Sequence, residues 1–431
     1  MTLGFDQARH LLSRTAFGGN LEQISRFSSM SREEAARALL ESVHKKAAAP
    51  PPDWVDEPIP SVAERRMMRS DQTKKRKFVQ QMRRRGVDLK SWWYREMIDT
   101  PSPFTETMTL FWHNHFTSGL RKVKSPQLLY RQNMMLRRHA AGNYRAFLHD
   151  ILRDPAMLLY LDNAKSRKGQ PNENLARELF ELFTLGEGQY TEQDVKEAAR
   201  ALTGLSLRRE DGAFMERPFA HDRGEKTILG ETGYFDGDDV VEIVLRREQS
   251  AKFITEKLWR RFIVTEPTPD DIRRLATRFR ANDFELSPLL AEILSHEAFS
   301  SSENIGTRIK SPVELMVGTV RLFDLDTSDD RVLVRLGFAL GQDIFEPPNV
   351  KGWPGGEAWI TADTLLRRQQ MLRLAFRGID GIKRIKPLVG NTRALAAKVL
   401  LPLEPSPETL KIEDDEDYLL ALLLEPSYQL S

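Results

Sequence analysis

The sequence predicts a mainly α protein: one large multi-helix domain with a small β-hairpin or loop insertion near residues 207–240 and an ordered irregular loop near 341–360. Apolar residues recur at three- and four-residue intervals over most of the 431 residues, and capping pairs such as Ser31 with Glu34 mark helix starts. The helical period breaks down clearly in those two stretches.

Residues 5–48 read as helices, with Phe5, Ala8, Leu11 and Leu12 at helical spacing. The break "AAAPPPDWVDEPIPS" is too stiff and too poor in N–H donors to continue them. Residues 64–90 are strongly basic; with no aromatic platform interleaved, they read as a solvated helix face rather than a nucleic-acid site. Trp92 and Trp93 read as core packing. Thr105 is the expected N-cap of the helix containing "FWHNHF". "NENLARELFELFTLGEG" puts Leu175, Leu179 and Leu182 on one stripe and stops at Gly186, and Thr191 with Asp194 opens the next helix. "FMERPFAHDRGEKTILGETGYFDGDD" is rich in Gly and Asp, and "GQDIFEPPNVKGWPGGEAWI" joins prolines and glycines to two tryptophans. A weak internal echo links "FLHDILRDPAMLLY", "LLAEILSHEAFS" and "YLLALLLEPSYQLS". The expected organisation is N-terminal helices (1–46), a proline-rich linker (47–63), a main helical domain (64–400), and an acidic linker with a short terminal helix (401–431).

Composition bounds the function class. The 64 basic and 62 acidic residues leave a net charge of +2, so nothing global calls for a nucleic acid or a membrane surface. The absence of cysteine excludes disulfides, zinc–thiolate sites, iron–sulfur clusters and thiol nucleophiles, so any metal must be held by His, Asp and Glu. No apolar run reaches the roughly 18–20 residues of a transmembrane helix, and the N-terminus lacks the apolar core of a secretory signal. A cytoplasmic protein is expected, with export to the periplasm by another route as the alternative.

In order along the chain, "FWHNHF", "PNENLARELFELFTLGEGQYTEQDVKEAARALTG", "HDRGEKTILG", "KLWRRFI", "IKSPVEL" and "PPNVKGWPGG" resemble the bacterial family catalogued as domain of unknown function 1800, from about Ala8 to Arg373. The resemblance implies no activity. It implies relatives that are often exported and a sulfatase-like partner protein; this chain departs in showing no signal sequence.

Three phrases carry candidate chemistry. His113 and His115, two apart on a helix, point about 200° from one another. His115 reads as a buried, hydrogen-bonded core residue, and His113 as facing a cleft or a second helix. Glu178 and Glu181, three apart, share a face, as carboxylates of metal-binding bundles do, while Arg177 and Glu181 have the spacing of an ordinary ion pair. Asn172, Glu173 and Asn174 crowd the start of that helix. Asp162 and Glu173 have the spacing of calcium-loop ends, but Lys165, Arg167 and Lys168 oppose a cation and suit a phosphate or sulfate. In "HDRGEK", His221, Asp222 and Lys226 read either as a turn with an ion pair or as a general acid/base beside a stabilising cation. The late loop, with Asn349, Lys351, Trp353 and Trp359, reads as a core anchor or as a lid.

The expected site therefore has His221, Asp222, Lys226 and Glu178 as catalytic groups. Asn172, Asn174, Arg177, Lys168 and Trp353 would bind substrate, and His113, Glu178, Glu181 and His221 would hold a divalent metal ion. The reaction expected is metal-dependent hydrolysis or group transfer on an anionic or polyol substrate. One alternative is a phosphate- or nucleotide-using transferase without a tight metal, gripping phosphates through Lys226 and the Lys165–Lys168 run. The other is a non-enzymatic helical adaptor working with a sulfatase-like partner.

Overall fold

Helices start where side chains take up the N–H groups that a first turn leaves unpaired. Asn20, Ser31 and Thr191 form capping boxes for Leu21–Ser28, Arg32–Glu41 and Glu192–Ala201. The Pro103–His115 helix departs from expectation, because Ser102 rather than Thr105 precedes its first turn. Proline is favoured at the first helical position, where a missing N–H costs nothing. Thr105 sits one turn in, its hydroxyl 2.7 Å from that of Ser102.

A computed structural model describes residues 2–60, 64, 71–208, 210–327, 329, 331–379 and 382–431. The fold is mainly α, with two small two-stranded antiparallel sheets among the described residues. One apolar core runs from Leu3 to Tyr428 and takes in Trp54, Val55 and Ile59 of the proline-rich stretch. The end of that stretch, 61–63, and part of the basic run, 65–70, lie outside the described residues. The rest of the basic run begins the Gln72–Asp99 helix, largely exposed in its first half and burying Leu89, Trp92, Trp93 and Met97 in its second. Beside it, Arg137 donates to Glu106 through Nε (2.6 Å) and Nη2 (2.8 Å), and Trp93 Nε1 donates to the same carboxylate at 2.8 Å, all inside the core.

The internal echo corresponds to a repeated local device. Each of its three phrases is a helix, one extended residue and a short second helix: Tyr144–Arg153 to Pro155–Tyr160 through Asp154, Leu286–Ser295 to Glu297–Ser300 through His296, and Asp415–Leu424 to Pro426–Gln429 through Glu425. The acidic stretch before the last of these is tied down, with Ser406 and Thr409 hydroxyls donating to Glu425.

The insertion is two hairpins, Leu205–Leu207 with Phe214–Glu216 and Lys226–Ile228 with Glu231–Gly233. The helical pattern resumes at Gly237, capped by Asp236. The late loop is irregular apart from one tight turn, Gly356–Trp359, and Trp353 and Trp359 are both buried, as anchors should be. Among the described residues no helix is long and apolar enough to cross a membrane.

Candidate functional site

The paired histidines are both buried, so His113 does not face a cleft. His113 Nε2 accepts the Phe345 N–H at 3.1 Å, which fixes its proton on Nδ1, and the ring packs among Trp93, Phe345 and Trp353. Burial lowers its pKa to about 3. His115 has the opposite tautomer, Nε2 donating to the Phe183 carbonyl at 3.1 Å. Burial, and then the charge of Lys257, push it well below the ordinary imidazole value.

That Phe183 carbonyl explains His115. The helix begun at Asn174–Glu178 does not continue as the apolar stripe suggests; Leu179–Thr184 widens into a π-helical turn, with Leu185 N bonding Phe180 O at 2.8 Å. Widened turns disturb the regular ladder and often occur at functional sites. Tyr144 Oη (2.7 Å) and His115 Nε2 converge on the Phe183 carbonyl.

Glu178 and Glu181 stand at this turn. Burial, and secondarily the charge of Glu181, raise the Glu178 pKa. Glu181 accepts from Tyr190 at 3.0 Å and lies 3.5 Å from Lys351 of the late loop. Asn114, between the two histidines, takes the Trp353 N–H at 2.7 Å; Gly352 has φ +78°, and a Cβ there would collide with Asn114. Trp353 is thereby a buried anchor beside His113. Arg177 is occupied by Glu192 (2.6 Å) and Glu173 (3.2 Å). Asn172 accepts from Asn174 N at 3.0 Å and donates its own N–H to Ser166 Oγ at 3.0 Å, shaping the helix entry.

The other end of the Ser166–Glu181 segment meets the His221 loop, where Lys168 N bonds Ala220 O at 2.7 Å. "HDRGEK" divides by role. Asp222 accepts from Arg200 Nε at 2.9 Å and from Gly224 N, and the Arg200 contact holds its pKa down at about 2. Lys226 is buried and donates to the carbonyls of Asp222 (2.6 Å) and Gly224 (2.9 Å), and burial lowers its pKa. Both hold the loop closed upon itself. His221 Nδ1 donates to the Thr203 carbonyl at 3.0 Å, leaving Nε2 as the ring's unprotonated nitrogen in the neutral form. Gly204, at φ +90°, permits this approach: a Cβ would lie 2.9 Å from the Arg217 carbonyl and 3.3 Å from His221.

His221 lines a cleft of about 210 Å³ with Arg153, Arg217, Arg223, Tyr234 and Asp238. Asp238 is held by Arg153 and by His149 Nδ1 at 2.7 Å. Among the described residues no carboxylate pairs with Arg217 or Arg223, whereas Arg153, Arg177 and Arg200 all have acidic partners. Tyr234 is 75% exposed on the cleft wall, and Phe219, 86% exposed, is in the turn that supplies Arg217. These residues were not among those expected. Arg217 and Arg223 flank His221 in "ERPFAHDR", and Phe219 and Tyr234 are large rings in a Gly- and Asp-rich stretch, which are the signals that mark them. Asp238 and His149, 89 positions apart, give none.

Among the described residues no three His, Asp or Glu side chains are grouped closely enough to hold a metal ion. His113, Glu178, Glu181 and His221 therefore do not form a shared ligand group; His113 is sealed among aromatic rings, while His221 belongs to the other end of the segment. No curated protein and no solved structure matches the chain. Residues 10–430 match the family described as "Protein of unknown function (DUF1800)", so the phrases that meet around Asn114, the π-helical turn and the His221 loop are those of a member of that family, to which this chain belongs.

Proposed function

We propose that the chain is a hydrolase or group transferase for an anionic polyol, with His221 as general base. The observation that carries this is the pairing of an open His221 Nε2 with two arginines, Arg217 and Arg223, that have no carboxylate partner among the described residues, around one cleft. An unpaired guanidinium offers a planar fork that matches phosphate, sulfate or carboxylate oxygens. His221 Nε2 takes the proton of an attacking water or acceptor hydroxyl, and the resulting imidazolium returns it to the leaving oxygen. Arg217 and Arg223 hold the anionic group and offset charge that builds on it. Tyr234, on the cleft wall, gives a ring against which an apolar sugar face stacks. Asp222 and Lys226 position the loop and take no part in proton transfer.

Calorimetric titration with a panel of phosphorylated and sulfated sugars tests the binding half. Binding is expected in the wild type and loss of about tenfold or more in Arg217→Ala and Arg223→Ala. His221→Gln is expected to bind as before and to lose about 10²–10⁴-fold in turnover. Equal binding by wild type and both arginine variants would remove the basis of the reading.

A further inference from the structure

A second cationic centre lies far from the His221 loop in sequence and has no role in that chemistry. Six basic side chains, Arg9, Arg14, Arg261, Arg308, Lys310 and Arg368, gather around one buried carboxylate, Glu314. Arg14 and Arg368 are almost wholly buried, at 1% and 0% exposure. Glu314 is already committed: Oε1 accepts from Arg261 at 2.9 Å and Arg308 at 2.7 Å, and Oε2 accepts the Ser311 N–H at 2.8 Å. Other guanidinium hydrogens go to neutral oxygens, as from Arg14 to Asn304 and from Arg368 to the Lys310 carbonyl. Arg14 Nε and Nη1, Arg261 Nη1, Arg308 Nε and Arg368 Nε are left buried without a partner.

Buried charge is costly unless paired, and most buried polar groups in native proteins find partners. Arg9 has a second, exposed partner in Asp6 at 3.7 Å, and even two carboxylates cannot neutralise six cations. Beside the cluster is a cavity of about 40 Å³ lined by Arg9, Lys310, Glu314, Ser13, Thr319 and Tyr428. That is roughly three times the space one water needs. Burial lowers Lys310 to about 8 and Arg368 to about 10; burial and then the charge of Arg308 lower Arg261 to about 10, so the cations lack compensation.

We infer that this cavity is a structural anion site, which holds one small oxyanion of the phosphate or sulfate type between Arg9 and Lys310. Such an ion supplies acceptors on several sides and negative charge where the fold has too little. It ties the Gly4–Thr15 helix to the Pro312–Phe323 helix and to the segment around Tyr428, all of which line the cavity.

Thermal unfolding of the full chain in inorganic phosphate, against sodium chloride at matched ionic strength, provides the test. A saturable rise in Tm is expected, about 3 °C when phosphate is a hundredfold above its Kd. Lys310→Met and Arg9→Met remove the rise, while Glu314→Gln, which deletes the competing negative charge, keeps or enlarges it. The Arg217→Ala, Arg223→Ala double variant also keeps it, which separates this site from the cleft. A Tm indifferent to phosphate, or the same shift in wild type and Lys310→Met, would overturn the proposal and leave the cavity to water or the anion to another surface.

Discussion

The aromatic stretch around His113 and the loop around His221 both anchor an imidazole on the main chain, but they leave the ring in different circumstances. In the first, Nε2 of each histidine meets a backbone group of an irregular segment, Phe345 N for His113 and Phe183 O for His115, and the rings are sealed from water. In the second, Nδ1 is spent on the Thr203 carbonyl and Nε2 belongs to a cleft with arginines. Imidazole can present either a donor or an acceptor and is flat enough to pack among rings, so in a core it completes unpaired backbone groups. The same residue becomes a candidate for chemistry only where one nitrogen is fixed and the other is left open.

The comparison predicts how variants will divide. The largest effect on stability belongs to Arg137→Met, which leaves Glu106 charged and buried beneath the aromatic stretch. A loss of about 3–5 kcal/mol in urea unfolding is expected. His115→Ala, which opens a void among Trp112, Phe116 and Phe183 and removes a donor from the Phe183 carbonyl, costs about 2–4 kcal/mol by the same measurement. A loss below about 0.5 kcal/mol would show that the carbonyl does not need the ring.

Acid sharpens the contrast. The unfolded chain takes a proton on His113 near pH 6.5, whereas the folded chain takes it only near 3. Between these values the unfolded state binds more protons, so stability is present above about 6.5 and falls as pH drops towards 3, by at most about 1.4 kcal/mol per unit. His113→Gln should be less stable at pH 7 but show a shallower decline between pH 6.5 and 4; parallel curves would contradict the buried neutral ring. The smallest stability change belongs to His221→Gln, under about 1 kcal/mol for a partly exposed loop residue. If that variant instead unfolds like His115→Ala, the loop histidine is structural too and the distinction collapses.

How much of this was legible depends on range. Capping boxes at Ser31 and Thr191 were readable because a cap is settled within four residues. An irregular insertion with hairpin character and the anchored late loop were readable from Gly, Asp and Pro content together with stranded aromatic residues, but the insertion's division into two hairpins was not. The Thr105 cap was misplaced because Pro103 can open a helix without an N–H, so the turn begins earlier than a search for hydroxyl caps suggests. The π-helical turn was hidden because its sequence, "LFELFT", has an ordinary helical pattern; the bonds that favour the wider turn come from His115 and Tyr144, 68 and 39 positions before Phe183. Within the candidate site, His221 and its neighbours were visible as a phrase. Their division into a cleft histidine, a clamped Asp222 and a buried Lys226 depended on Arg200, Thr203 and the loop's own carbonyls.

By itself, then, the sequence determined the helical class, the position of the irregular insertions, the absence of any thiol chemistry and the phrases that mark the family, because each depends on local periodicity, composition or contiguous residues. Only the tertiary structure decided which nitrogen of each histidine is free, which cations lack a partner and which carboxylates are spent. Those properties depend on donors and acceptors from distant parts of the chain, and on the burial that makes an unpaired charge expensive.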